Sequence, residues 1–309
     1  MLKTTDPKRP KTIDELLDAA LIAKVSRLDY ASKKIFAGKV QGERRSKKRG
    51  ESVEFADHRP YVVGDDIRHI DWNIYGRLDR LFLKLFLEEE DLSVHIILDA
   101  SGSSDCGTPN KFLFMQRAAM ALGYIGLVNM NRVGATAIGD IGGEGGVFSA
   151  IRDLRGRRRV HDLGRWVLSL EPGGTASFTE ACKRIALARR GKGVMIVLSD
   201  FFIKEGYEQG LRLLKGRGYD VFCIQTLSPQ EIEPDIAGDL RLRDIEDGDF
   251  AEVTISAPLL KRYKANLRAY NDHLRDFCAR REIGLITVKS DTPIDTLIMD
   301  YLRRRGVLR

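Results

Sequence analysis

Apolar residues along this chain fall into two patterns: positions repeating every three or four residues, and short unbroken runs. Ile13, Leu16, Leu17, Ala20, Leu21 and Val25 step mostly by three and four and predict a helix over residues 12–36. The texture then changes. Glycines and basic residues alternate with polar stretches from Gly38 to Glu54, and "RLFLKLFLEEE" sets Leu81, Leu83, Leu85 and Leu87 on one face of a strand. From Leu92 onward, apolar runs alternate with helical periodicity. "LSVHIIL" predicts a buried strand, Pro109 to Val128 a helix opened by its proline, and "RVGATAIGD" with "GGVFSA" a hairpin around a glycine-rich turn. Helices over Val160 to Leu170, Ser177 to Arg190 and Lys204 to Lys215 flank the strand "GVMIVLSD", and the strand "YDVFCIQTL" follows. The last part reads as strands "LRLRDIE" and "AEVTIS", a long helix from Pro258 to Arg281, the strand "GLITVKS" and a closing helix from Pro293 to Arg304.

Such alternation implies an α/β fold with a largely parallel sheet covered by helices on both faces. The changes of texture divide the chain into an N-terminal helical segment (1–36), a β-rich region (37–89) and an α/β domain (90–309). In the long helix, Leu259, Tyr263, Leu267, Tyr270, Leu274 and Phe277 recur at helical steps, as for a helix docked on the sheet.

At 309 residues and 43% hydrophobic, the chain has ample material for one large domain or two modest ones. No apolar run approaches the ~20 residues that span a bilayer, and the N-terminus lacks a signal-peptide core, so the expected location is the cytoplasm. Cys106, Cys182, Cys223 and Cys278 are scattered without CxxC spacing, which argues against a zinc ribbon or a disulfide framework. The net charge of +7 is uneven: residues 1–50 hold 14 Lys and Arg against 6 Asp and Glu, so the remainder is close to neutral. A basic head suits a protein surface, a peripheral membrane contact or a nucleic acid. Its lack of interleaved aromatics disfavours nucleic acid.

Chemistry concentrates beyond the ends of the predicted strands, where open α/β sheets bind ligands. "LDASGSSDCG" leaves its strand with Asp99, Ser101 and Ser103 at alternate positions. Asp200 follows "VMIVLS", and "EPGGTASFTE" presents Thr175 behind Gly173 and Gly174. Two carboxylates and three hydroxyls make an all-oxygen set that selects Mg²⁺, with Mn²⁺ or Ca²⁺ as alternatives, over zinc or copper. The other reading of the same residues is an ion-free loop, with serines capping the helix and aspartates accepting loop amides.

In order and spacing this set resembles the metal-ion-dependent adhesion site of von Willebrand factor type A domains. Upstream, "RPYVVGDDIRHIDWNIYGRLDRLFLKLFLEE" resembles the signature of the bacterial family named domain of unknown function 58, through Arg59, Tyr61, Gly64, Asp65, Asp66, Arg68, Asp71 and Trp72. The resemblance covers roughly residues 35–305. It implies a Rossmann-like, doubly wound, von Willebrand A-like domain with an N-terminal helix and a small β-rich part packed against it. It also implies a metal-dependent adaptor, not an enzyme, acting with a MoxR-type AAA+ ATPase that offers an acidic side chain to the ion.

Other stretches are quieter. "YVVGDDIRHIDWN" reads as a turn whose carboxylates accept amides and pair with Arg68 or Arg77, with Trp72 anchoring it to the sheet; partner contact is the alternative. "IGDIGGEGG" sits between strands and reads as a hairpin turn, and no Walker A sequence occurs, so any ATP hydrolysis belongs to a partner. "RDLRGRRR" gathers Arg152, Arg155, Arg157, Arg158 and Arg159 as a solvated turn or a contact for an acidic or phosphate group. The five histidines show no metal spacing. A metal-dependent phosphoester hydrolase needs a general base that is not visible, and a nucleic-acid module would rest on residues 1–50 alone.

Overall fold

The computed structural model describes residues 7–31, 54–87, 92–139, 148–174, 177–188, 193–243 and 250–309. The chain divides into two compact units, Lys39–Asp91 on the one hand and Met1–Gly38 with Leu92–Arg309 on the other.

The smaller unit is built on an antiparallel pair, β1 (Glu54–Pro60) and β2 (Phe82–Leu87), with a bulge between Phe55 and Asp57. A 3-10 turn, Ile67–His69, and a helix, Trp72–Leu78, connect the strands. Each begins where an aspartate caps it: Asp66 accepts from the Arg68 amide, and Asp71 from the amides of Asn73 and Ile74. Ile70 bridges to Leu83, and both are buried.

The larger unit carries β3 (Ser93–Asp99), β4 (Arg132–Ile138), β5 (Phe148–Arg155), β6 (Gly193–Ser199), β7 (Asp220–Leu227), β8 (Gly238–Arg243), β9 (Phe250–Ile255) and β10 (Gly284–Lys289). Six of these form one sheet in the order β10-β7-β6-β3-β4-β5, parallel except at the β5 edge, while β8 and β9 pair antiparallel as a separate ribbon. Side chains alternate across the strands. Val94, Ile96 and Leu98 join a core with the helices Ile13–Leu16, Ala19–Val25, Lys111–Val128 and Val160–Leu168. Ile97, Met195, Val197 and Cys223 join a second core with Phe178–Ala188, Glu208–Lys215 and Ala257–Ala279. The mixed α/β architecture and the mostly parallel central sheet agree with the apolar patterning, because strands buried on both faces read as continuous apolar runs. All four cysteines are free and buried, and no helix among the described residues is long and apolar enough to cross a membrane.

Strand order fixes the place of the site. The chain runs from β3 outward through β4 and β5, then returns to the opposite side of β3 for β6, β7 and β10. The carboxyl ends of β3 and β6 therefore flank a reversal of winding, the crevice where such sheets bind ligands.

Several elements differ from the sequence expectation. Within the described part of the span 12–36 there are two short helices, because Asp18 caps the second through the Leu21 amide and ends the first, and residues 32–36 lie outside the described residues. Beyond it, Tyr30 makes a strand-like bridge to Leu308 and drops its hydroxyl onto the Leu122 carbonyl, so residues 29–31 are extended. These N-terminal helices share the larger unit's core. Pro109 precedes the helix Lys111–Val128 instead of opening it, and Asn110 caps that helix through the Leu113 amide. The helix expected from Lys204 starts at Glu208, and the closing helix runs through Ile294–Thr296 into a π-helical turn, Leu297–Leu302. The basic run Arg44 to Arg49 and the glycine-rich turn at 140–147 lie outside the described residues.

Candidate functional site

The β3 strand ends in a carboxylate because its last residue leaves the apolar interior and meets loop amides. Asp99 remains buried, and each carboxylate oxygen accepts one hydrogen bond: Oδ1 from the Ser101 amide at 3.0 Å and Oδ2 from the Ser199 hydroxyl at 2.6 Å. Ser101 and Ser103 turn toward each other, with their Oγ atoms 3.0 Å apart. Ser104 points away and spends its hydroxyl on the carbonyls of Asp99 and Ser101, which closes the loop. The alternate residues share one side, as their spacing predicts.

The glycine loop meets this turn through its backbone. Gly173 donates to the Ala100 carbonyl at 2.9 Å, and the Gly102 amide donates to the Gly174 carbonyl at 3.1 Å. Gly174 has φ +57°, a left-handed conformation that glycine adopts without steric cost. Thr175 lies outside the described residues.

Asp200, just past β6, is buried, and each of its carboxylate oxygens accepts one hydrogen bond. Its Oδ1 accepts from the Phe202 amide at 2.9 Å and its Oδ2 from Lys111 Nζ at 2.7 Å. Lys111 is completely buried and donates also to Glu231 Oε1 at 2.7 Å. Glu231 in turn closes a capping box with Ser228 ahead of the turn Pro229–Ile232. Phe201 adopts φ +61°, a strained conformation for a bulky side chain, and is held there by burial and by its amide on Ser199 Oγ. Strain of this kind collects at functional sites.

The electrostatics follow from burial. Desolvation, and then the nearby Asp200 charge, push the Asp99 carboxyl above its ordinary value of 3.8. Burial alone would favour neutral Lys111, but Asp200 and Glu231 reverse this and hold it charged. Burial also raises the Cys106 thiol to about 12, so it stands beside Glu231 as a neutral group, 3.6 Å away. With every carboxylate ionised, the contact chain Asp99, Asp200, Lys111 and Glu231 carries a formal charge of −2. Among the described residues no three His, Cys, Asp or Glu side chains gather as a metal cluster. A cation here would rely on hydroxyls and water beside the Asp99 carboxylate, whose remaining lone pairs are hard donors suited to Mg²⁺, Mn²⁺ or Ca²⁺.

The structure thus brings Asp99, Ser101 and Ser103 to one loop and Asp200 to the neighbouring strand end. Lys111 and Glu231 escaped the sequence reading. A lone lysine in the apolar run "KFLFM" and the capping pattern "SPQE" were the available signals.

The signature residues sit in the smaller unit and satisfy one another. Arg59 grips Asp65 with two hydrogen bonds, at 2.8 and 2.7 Å, while Asp65 accepts also from the Val62 amide. Gly64 makes this turn with φ +108°, and the Tyr61 amide donates to the Leu81 carbonyl. Asp66 pairs with Arg68, and Asp71 with His58 at 3.0 Å and Lys84 at 3.4 Å. Trp72 does not anchor the turn: it is 63% exposed, and among the described residues its ring contact is edge-on to Tyr75. Val62, Val63, Ile67 and Leu78 are exposed with it.

Arg152, Arg155, Arg157, Arg158 and Arg159 are exposed at the edge of the large sheet, and Arg159 pairs with Asp162 at 2.9 Å. Strand register puts Arg155 beside Arg132 and Asp99 beside Ile138, at opposite ends of β4, so the cluster belongs to the other end of the sheet.

A family model described as "Protein of unknown function DUF58" matches residues 57–273. Uncharacterized protein Rv1480 of Mycobacterium tuberculosis is 24% identical over 298 residues, covering 94% of this chain and 92% of its own. Among solved structures, the conserved hypothetical protein BatB from Bacteroides thetaiotaomicron is similar at TM-score 0.41 and 13% identity, over 70% of this chain and 97% of its own. Manganese-loaded TRAP protein of Plasmodium vivax is similar at TM-score 0.31 and 19% identity, over 44% and 57%. Structural likeness this loose carries no argument about the site.

Proposed function

This chain belongs to the DUF58 family, and on that premise we propose that its larger unit is a metal-dependent protein–protein interaction module. In this reading the sheet is Rossmann-like, of the von Willebrand A type, and the protein acts in the cytoplasm with a MoxR-type AAA+ ATPase in assembly or maturation of protein complexes. The observation that carries the reading is the charge at the reversal of winding. Buried Asp99 lies beside two converging serine hydroxyls, and Asp99, Asp200 and Glu231 keep a formal charge of −2 after Lys111 is counted, with every carboxylate ionised.

A divalent ion balances that charge. Asp99, Ser101, Ser103 and Thr175 would hold it, with Asp200 acting directly or through water. Mg²⁺ is the first choice, and Mn²⁺ and Ca²⁺ use the same donors. When bound, the ion supplies an electrophilic position that an acidic side chain of the partner fills. The chain's own residues prepare the place. Ser199 and the Ser101 amide fix the Asp99 rotamer, Lys111 and the Phe202 amide fix Asp200, and neutral hydroxyls leave the charge of the ion uncancelled. The site works by binding and is assigned no turnover.

The test is the affinity for the MoxR-type ATPase encoded nearest this protein, measured with Mg²⁺ and with chelator, for wild type, Asp99→Ala and Ser101→Ala/Ser103→Ala. Binding lost under chelation and in both variants supports the reading. Binding indifferent to all three moves the contact elsewhere on the chain, and turnover of generic phosphoesters with Mg²⁺ or Mn²⁺ replaces the adaptor with a hydrolase.

A further inference from the structure

Lys111 stands out in the larger unit. Its ammonium is completely buried and lies 2.7 Å from both Asp200 Oδ2 and Glu231 Oε1, with the Phe202 ring 5.9 Å away. A buried lysine shared between two carboxylates is costly to assemble and contributes little net stability compared with apolar residues of the same shape. Stability alone is therefore a poor account of it. Its position suggests another. It starts the helix that follows the Asp99 loop and reaches the carboxylate after β6, so one side chain ties that helix to one of the two strand ends that flank the crevice.

We infer that Lys111 is the positioning and charge-setting residue of the ion site. The inference rests on the metal reading above and deepens it. By cancelling one of the two charges that Asp200 and Glu231 bring, Lys111 leaves the crevice with two negative charges, which match a divalent ion and not a trivalent one. By occupying Asp200 Oδ2 while the Phe202 amide occupies Oδ1, it fixes the carboxylate plane and leaves the remaining lone pairs for a metal-bound water. Through Glu231 and its capping box with Ser228, the same lysine ties the ion site to the turn after β7, where the Tyr263 hydroxyl of the long helix donates to the Glu231 carbonyl.

Ion selectivity then changes in opposite directions in two variants. In Lys111→Met the crevice holds three uncompensated negative charges, and in Glu231→Gln only one. The experiment uses the full chain, with Tb³⁺ luminescence as the probe and Mg²⁺ as competitor. Relative to wild type, the ratio of Tb³⁺ to Mg²⁺ affinity rises at least tenfold in K111M, falls several-fold in E231Q and returns to within about threefold in K111M/E231Q. A purely structural role moves the two single variants in the same direction, or moves neither, and either result overturns the inference. E231Q keeps the lysine and a hydrogen-bonding amide, so its arm decides the question even where K111M folds poorly. Asp99→Ala separates the two failures. Tb³⁺ binding that ignores D99A sinks the metal reading and this inference with it. Binding abolished by D99A, yet equally selective in K111M and E231Q, removes only the role of Lys111.

Discussion

The two units treat the same side chain in opposite ways. In the crevice of the larger unit Asp99 is buried, and desolvation lifts its carboxyl above the ordinary 3.8. In the smaller unit the side-chain hydrogen bond from Arg68 holds Asp66 down at about 2, His58 holds Asp71 at about 2, and Arg59 lowers Asp65. On the proposed function, this contrast separates the cluster that takes a cation from the one that is already paired. The signature aspartates already have guanidinium, imidazole and amide partners beside them, so they read as architecture. The larger unit sets one ammonium against three carboxylates, and the proposed function reads this set as a receptor for a cation.

The largest effect that tests this contrast comes from Lys111→Met. Removing one partner of a buried charged network leaves the others uncompensated, and the expected loss is about 3–5 kcal/mol in urea unfolding without divalent ions. Adding Glu231→Gln recovers part of it, since one of the stranded charges goes. A loss below about 1 kcal/mol would mean that water already solvates the crevice, and the contrast with the smaller unit would collapse.

Next in size is the effect of the ion itself. At a hundredfold excess over its dissociation constant, a ligand of the folded state alone adds about 2.7 kcal/mol. Wild type therefore melts higher with Mg²⁺ than with chelator, whereas D99A melts alike in both. The pH dependence carries a sign. Because folding raises the Asp99 pKa, the folded state keeps a proton that the unfolded chain loses above 3.8, so ion-free stability declines as pH rises from 3.8 through the raised value. On the proposed function Mg²⁺ binds the ionised form and opposes that decline. Scans with and without the ion that run parallel across this window would count against Asp99 as a ligand.

The smaller unit has the reverse dependence. Asp66 and Asp71 are held at about 2, so their contribution is complete above 3.8 and is lost as pH falls from there toward 2. Trp72 and Trp166 are the chain's two tryptophans, one in each unit, so a Trp166→Phe variant makes Trp72 the reporter of the smaller unit. Its signal should begin to change below pH 4. Asp71→Asn should move the onset to higher pH, because the amide keeps the cap but loses the charge on His58 and Lys84.

Much of this was legible in the chain. Continuous apolar runs gave β3, β6 and β7, and the alternation of Asp99, Ser101 and Ser103 foretold a loop that turns its side chains one way. What could not be read were features set by contacts distant in sequence. The N-terminal helix breaks because Asp18 caps locally while Tyr30 is drawn to Leu308, nearly the whole chain away. In the sequence Lys111 is one polar residue near the start of a predicted helix. Only the fold shows that this helix is buried on nearly every side, and that its lysine meets Asp200 and Glu231, 89 and 120 residues downstream.

The smallest expected effect concerns Trp72, and it sharpens the comparison from the other side. A tryptophan inside a dense run of polar signature residues invites the role of anchor, and truncating a buried aromatic costs about 3–5 kcal/mol. Here the ring is 63% exposed, in company with Val62, Val63, Ile67 and Leu78. Trp72→Ser should therefore change stability by no more than about 0.5 kcal/mol in chemical unfolding, the usual range for surface positions. Asp71→Ala, which removes a cap and two ionic contacts a single residue earlier, should cost visibly more. If the order is reversed, the signature is held by its aromatic and not by its charges, and the division between a self-satisfied smaller unit and an unsatisfied crevice loses half its ground.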